Sequence, residues 1–233
     1  MAISKSRMDE LLSRIRGEFG AVADTVHIGE LAVEFWRPAD PDALVDEAVL
    51  AQPHDKLEWQ PYWVEAWDAG YGIAWELAER DIDGAKVLDL GCGLGLAGSV
   101  AAARGAEVVM ADNAPPALLF AEVNSWPWRD RVQIVRLDWR KDRLDGPFDL
   151  IIGSDILYDR SDLTFLDTFW RQHLQTEGCV LLSEPTRPFT REFIQWIGER
   201  NWHMNEKRRQ VPQSDRLIRL VELRRSYKGR PAT

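Results

Sequence analysis

From Gly84 onward, short apolar runs alternate with segments of helical character, and this alternation limits the fold more than any other feature. KVLDL leads into a glycine-rich turn and LAGSVAAARG, and EVVMAD leads into NAPPALLFAEVNSW, with Asn113 as the expected N-cap. VQIVRLD, FDLIIGSD and CVLLSEP read as further strands, with DLTFLDTFWRQHLQT and TREFIQWIGERN as helices. Strand-length runs that are apolar throughout predict a sheet buried on both faces, with parallel strands and right-handed crossovers. WHMNEKRRQV and RLIRLVELRR alternate in polarity and suit an antiparallel edge pair. The expected fold is therefore α/β: a doubly wound, mostly parallel seven-stranded, Rossmann-like sheet with an antiparallel edge strand.

Upstream, TVHIGELAVEFW reads as a hairpin turning at Gly29-Glu30, followed by a helix capped by Asp40-Pro41. Met8, Leu11, Leu12, Ile15 and Phe19 fall on one face of a preceding helix, which predicts that it docks on the body. The expected organisation is a helix and hairpin extension over 1–58, one main domain over 59–226 and a tail over 227–233.

The net charge of -9 gives no overall footprint of a phosphate binder, so nucleic acid is not an expected partner. The basic stretch near the C-terminus reads as the solvated face of edge strands and a tail. Cys92 and Cys179 make neither a disulfide framework nor a metal cluster, which points to a reducing, cytoplasmic setting. No uncharged apolar run approaches the ~18 residues of a membrane span, and the N-terminal segment lacks the apolar core of a secretion signal.

In an open α/β sheet the ligand lies beyond the carboxyl ends of the strands, which directs attention to DLGCGLGLAG, Asp89 to Gly98. Gly93-x-Gly95-x-x-Gly98 matches a dinucleotide fingerprint in form, a weak signal alone. Asp89, two residues before the first glycine, is badly placed beside a pyrophosphate but suits a ligand bearing an ammonium group, as S-adenosylmethionine does. Asp112 ends the next strand, where a carboxylate accepts bonds from ribose hydroxyls of either ligand. Asp138 ends the third and is positioned for an adenine amino group. Each aspartate alone would read as a cap or turn residue. Three at successive strand ends beside one glycine loop favour a nucleoside ligand. After FDLIIG the chain then places the carboxylate of Asp155 three residues before the phenol of Tyr158.

KVLDLGCGLGLAG, EVVMADNAPPALLFAEVNSW, VRLDWR and FDLIIGSDILYD, in this order, resemble the seven-strand S-adenosylmethionine-dependent methyltransferases. More narrowly the chain is similar to the family-16 protein-lysine methyltransferases, among them the enzyme acting on the electron transfer flavoprotein β subunit. The matching features are Trp67 in EAWDAG, the glycine loop, Asp112 with Asn124, Leu137-Asp138-Trp139, and Asp155-x-x-Tyr158. Asp68 stands where the family often has proline, and Arg140 where it often has glycine.

The resemblance implies a methyltransferase that uses S-adenosyl-L-methionine. Its candidate donor-binding set is Trp67, Asp89, Gly91, Cys92, Gly93, Asp112, Asn113, Asp138, Trp139 and Ser154. Asp155 is the candidate anchor for an incoming ammonium, with Tyr158 packing against or hydrogen-bonding the acceptor. Trp139 is the candidate to flank the adenine. Trp63 and Trp67, four apart, share a face in a helical reading, and Tyr62, Trp126 and Trp128 read as packing residues. The expected acceptor is a lysine on a protein partner. A small-molecule amine, as in nicotinamide methyltransferases, is the alternative. A NAD-dependent oxidoreductase is a third reading, against which Asp89 and SDILYD both speak.

Overall fold

A computed structural model describes residues 2–51, 61–185 and 189–226. The expected domain boundary at 58/59 and the tail over 227–233 lie outside the described residues. Helix α1 (Ala2–Phe19) buries Leu11 and Ile15 completely and packs Met8, Leu12 and Phe19 on the same core. The hairpin of β1 (Val22–Ile28) and β2 (Leu31–Arg37) turns at Gly29-Glu30, where Gly29 supplies a φ of 59°. Helix α2 (Pro41–Ala51) starts with Ala43 N–H donating to Asp40 Oδ1 at 3.0 Å.

The main body comprises α3 (Asp68–Glu79), β3 (Lys86–Leu90), α4 (Leu96–Ala103), β4 (Glu107–Asp112), α5 (Pro115–Asn124) and β5 (Val132–Arg136). It continues through β6 (Phe148–Ser154), α6 (Leu163–His173), β7 (Leu174–Glu184), α7 (Phe189–Gly198), β8 (Trp202–Gln210) and β9 (Leu217–Arg225). The seven-stranded sheet has the order β5-β4-β3-β6-β7-β9-β8. Strands β3 to β7 are parallel, and β9 is antiparallel to both β7 and β8. The antiparallel pair thus closes one end of the sheet, but the strand that opposes the others, β9, lies one place in from the edge. Polarity explains the order: β9 buries Ile218, Leu220, Val221 and Leu223, whereas β8 is mostly exposed.

Two core clusters cover the two faces of the sheet. One joins α1, the hairpin and α3 to α5; the other joins α6, Phe193 and Ile197 of α7, and the opposite sides of the strands. Asn124, fully buried at the end of α5, ties the first together. Its Oδ1 accepts from Trp36 N–H at 2.7 Å, and its Nδ2 donates to Trp36 O at 2.9 Å and Leu94 O at 2.8 Å. A single amide therefore fastens the hairpin to the glycine loop, with the main hydrogen-bonding capacity of the side chain used.

Several local expectations are corrected. Ala114, not Asn113, is the N-cap of α5, because Pro115 and Pro116 fill the first turn and Asp112 Oδ1 receives the Ala114 N–H at 2.9 Å. Leu174, Gln175 and Thr176 begin β7 and do not prolong α6, since Leu174 pairs with Phe148. Trp63 and Trp67 do not share a helical face. Trp63 lies in a 3-10 turn (Tyr62–Val64), Glu65 is extended, and Trp67 is the N-cap of α3.

Candidate active site

The turn from β3 into α4 is shaped by three left-handed glycines, Gly91, Gly93 and Gly95, with φ of 70°, 51° and 82°. Their roles differ. A Cβ on Gly95 would lie 2.9 Å from Ala121 Cα of α5, and one on Gly98 would lie 2.6 Å from Met110 Cε. These two let helices and sheet approach each other. A Cβ on Gly93 would meet nothing closer than 4.0 Å, so this glycine faces open space.

That space is a crevice of about 830 Å³ at the carboxyl ends of the parallel strands, a volume in the range of small-molecule sites. It is lined by Trp67, Gly91, Cys92, Gly93, Asp112, Asn113, Asp138, Trp139, Ser154, Asp155 and Tyr158. Of the residues expected at the site, Asp89 is the one that does not line it. Its side chain lies behind the loop, 1% exposed, with Oδ2 accepting from Gly98 N–H at 2.9 Å. Burial, helped by the charge of Asp112, pushes its carboxyl up to about 7 against the Gly98 hydrogen bond.

Asp112 is held by backbone. Its Oδ2 accepts from Gly93 N–H at 2.9 Å and its Oδ1 from Ala114 N–H at 2.9 Å, so the carboxylate shapes the loop before any ligand arrives. Burial raises its pKa, and the backbone donors of Ala114 and Gly93 oppose that rise. Asp138 lies two residues past the end of β5, accepts from Arg140 N–H at 3.0 Å and pairs with Lys141 at 3.2 Å. Burial pushes the Cys92 thiol well up, leaving it an inert part of the wall.

The opposite wall follows β6, which pairs in parallel with β3. Asp155 has a left-handed backbone, φ 53°, and its N–H donates to Ser183 O at 2.8 Å. Ile156, buried, packs so tightly against the loop that a Cβ on Gly91 would lie 2.8 Å from its Cγ2. This contact sets the Asp155 turn against the glycine turn. Tyr158 is half-buried, and burial with the nearby Asp162 and Asp112 charges pushes its phenol up to about 12. It therefore stays protonated and serves as an aromatic face or hydroxyl donor.

Some lining residues had escaped the sequence reading. Tyr62, expected to be a packing residue, lines the crevice with its ring centroid 5.1 Å from that of Tyr158. Arg140, Asp159 and Asp162 form a charged rim. Trp126 and Trp128 do pack on the core. Trp63 packs against Phe19 and Phe120 and also borders the crevice.

The residues fit S-adenosylmethionine on the structure's own terms. Gly93 leaves its approach open, the carboxylate of Asp112 ends β4 and that of Asp138 lies just beyond β5, and Trp139 Nε1, on the crevice lining, is a buried polar atom without a hydrogen-bond partner. Buried orphans of this kind mark places where a polar ligand group or water belongs.

Residues 62–200 match the lysine methyltransferase family. A protein N-lysine methyltransferase of Danio rerio, METTL21A, is 35% identical over 152 residues, covering 58% of this chain and 68% of its own length. The electron transfer flavoprotein beta subunit lysine methyltransferase of Xenopus laevis is 30% identical over 139 residues, covering 54% of this chain and 53% of its own. The matched part thus spans about half to two thirds of these relatives. Among solved structures, the N-methyltransferase NodS of Bradyrhizobium japonicum, in complex with S-adenosyl-L-homocysteine, superposes with a TM-score of 0.59. It is 16% identical and covers 80% of this chain and 99% of its own, a likeness of fold.

Proposed function

The chain belongs to the lysine methyltransferase family and is an S-adenosylmethionine-dependent methyltransferase, and from that premise we propose that it methylates a lysine side chain on a protein partner. The observation that carries this reading is the shared crevice: Asp155 and Tyr158 stand across from Gly91 and Gly93 in one space. Gly91, Gly93, Asp112, Asp138 and Trp139 would hold the donor. When bound, the donor supplies an electrophilic methyl group on a sulfonium and leaves as a neutral thioether.

The protein's own tasks are then alignment and delivery of an uncharged amine. A lysine amine is an ammonium near neutral pH, so its nitrogen must lose a proton to the water at the crevice mouth before it can attack. Asp155 binds the incoming ammonium, and desolvation on entering the crevice disfavours its charge and drives release of the proton. The crevice is lined by Glu65, Asp112, Asp138, Asp155, Asp159 and Asp162 against Arg136, Arg140 and Lys141, and the excess of carboxylates favours a cationic acceptor. The two free, buried cysteines support a reducing, cytoplasmic setting. Among the described residues no helix is long and apolar enough to cross a membrane.

The test is incubation with methyl-labelled S-adenosylmethionine and a protein extract of the source organism, followed by mass spectrometry. Label on a lysine of a defined protein is the expected result. Label recovered only in small-molecule amines, or none from a folded, donor-binding enzyme, would overturn it.

A further inference from the structure

Three large aromatic side chains stand half-exposed at one rim of the crevice: Tyr62 (51%), Tyr158 (44%) and Trp67 (41%). Backbone anchors keep Tyr62 and Trp67 there. Next to Tyr62, Trp63 packs edge-on to Phe19 at 5.6 Å and Val64 is buried, so the 3-10 turn cannot roll Tyr62 into the core. Trp67 Nε1 donates to the Tyr62 carbonyl at 2.6 Å, which binds the start of α3 to the same turn. The rings of Tyr62 and Tyr158 then meet at 5.1 Å with a 47° tilt, forming a continuous, angled aromatic surface.

A contiguous exposed aromatic surface beside a pocket marks a binding face. Its chemistry here is selective. The faces of phenol rings are electronegative and attract cations, and Asp155 and Asp159 line the same crevice. A neutral alkyl chain would gain the ring contact but not the electrostatic attraction, of which Asp155 supplies the carboxylate part while Asp159 is engaged by Arg140 at 3.8 Å.

We propose that Tyr62 is a specificity-determining residue on the acceptor side, forming with Tyr158 an aromatic wall against which the ammonium end of a lysine side chain sits. This rests on the lysine-methylating reading and deepens it, by assigning acceptor recognition to a residue in the segment before α3, remote in sequence from the Asp155–Tyr158 turn.

The experiment uses the full chain saturated with S-adenosylhomocysteine, titrated by NMR with Nα-acetyl-lysine methylamide and with Nα-acetyl-norleucine methylamide, which keeps the four-carbon chain and lacks the terminal ammonium. Wild type should bind the lysine compound more tightly than the norleucine one. Tyr62→Leu should lose roughly 2- to 30-fold of that preference, the span of one cation–π contact, and Tyr62→Phe, which keeps the ring, should restore it. Calorimetry should show unchanged S-adenosylhomocysteine affinity in Tyr62→Leu. If wild type fails to bind S-adenosylhomocysteine, the donor reading and this proposal fall together. If it binds, but the two amides bind equally or Tyr62→Leu keeps the full preference, the proposal alone is overturned. Loss of S-adenosylhomocysteine binding in Tyr62→Leu would also overturn it, since the ring would then serve the donor side or the fold.

Discussion

Arg140 Nε donates to Asp162 Oδ1 at 2.5 Å, joining the turn after β5 to the segment that carries Asp155 and Tyr158. The carboxylate is buried, with its side chain 2% exposed, whereas the guanidinium is 48% exposed. Removing one partner of a fully buried pair costs about 3–5 kcal/mol, because the other charge is left desolvated. Water reaches Arg140, so Arg140→Ala is expected to cost less, about 1–3 kcal/mol. Asp162→Asn in the Arg140→Ala background should recover much of the loss by removing the stranded charge. Urea denaturation measures both, and additive effects of the two substitutions would show that the residues are not coupled.

The glycines of the loop should separate into two kinds. Gly95→Ala forces a Cβ to 2.9 Å from Ala121 Cα at a left-handed φ of 82°, so it should destabilise the protein by a few kcal/mol, with ~1–2 from the backbone alone. Gly93→Ala has free space and a similar backbone cost, but it narrows the side from which a ligand approaches. Its loss of S-adenosylhomocysteine affinity should exceed its loss of stability, when calorimetry is compared with thermal denaturation. The reverse order for the two variants would contradict this division.

What the sequence made legible was whatever depends on local pattern. The strand and helix alternation, the hairpin at Gly29-Glu30 and the glycine loop are all short-range. The orientation of Asp89 is legible as well. In β3 it shares a face with Val87, which packs with α4, while Leu88 and Leu90 join the opposite cluster. Its position beneath Gly98 therefore follows from the period of two. The inner place of β9 was written in its apolar residues beside the charged run of β8. The Tyr62–Tyr158 contact and the Arg140–Asp162 pair were not legible, because each joins residues that only the tertiary fold brings together.

Asp89 should leave a signature in the pH dependence of stability. Its carboxyl is raised to about 7 in the folded protein, chiefly by burial, against an ordinary value of about 4 in the unfolded chain. Between those values the folded state holds a proton that the unfolded state has released, so stability falls as pH rises through that window. Asp89→Asn keeps an acceptor for Gly98 N–H and removes the titration. Relative to that variant, wild type should lose on the order of 4 kcal/mol between pH 4 and pH 8. Parallel stability profiles for the two proteins would show that Asp89 does not titrate there.

Asp155 can be tested more cleanly than most catalytic candidates because of its backbone. At φ 53° it occupies the left-handed region, which asparagine tolerates as well as aspartate does. Asp155→Ala would add ~1–2 kcal/mol of strain and confuse folding with chemistry. Asp155→Asn keeps the size, the conformation and the N–H donated to Ser183 O at 2.8 Å, and removes only the charge. If Asp155 delivers the acceptor amine, donor affinity should stay within a few-fold while turnover falls by about 10² or more. Tyr158→Phe should act in the same direction more weakly, since the ring remains. With its phenol at about 12, Tyr158 should contribute no ionisation to the rate–pH profile below about pH 10 in wild type. If Asp155 only closes the turn, Asp155→Asn should change stability and leave turnover per folded molecule as it was. Single-turnover assays on a verified acceptor, with donor affinity measured by calorimetry on the same preparation, separate the two outcomes.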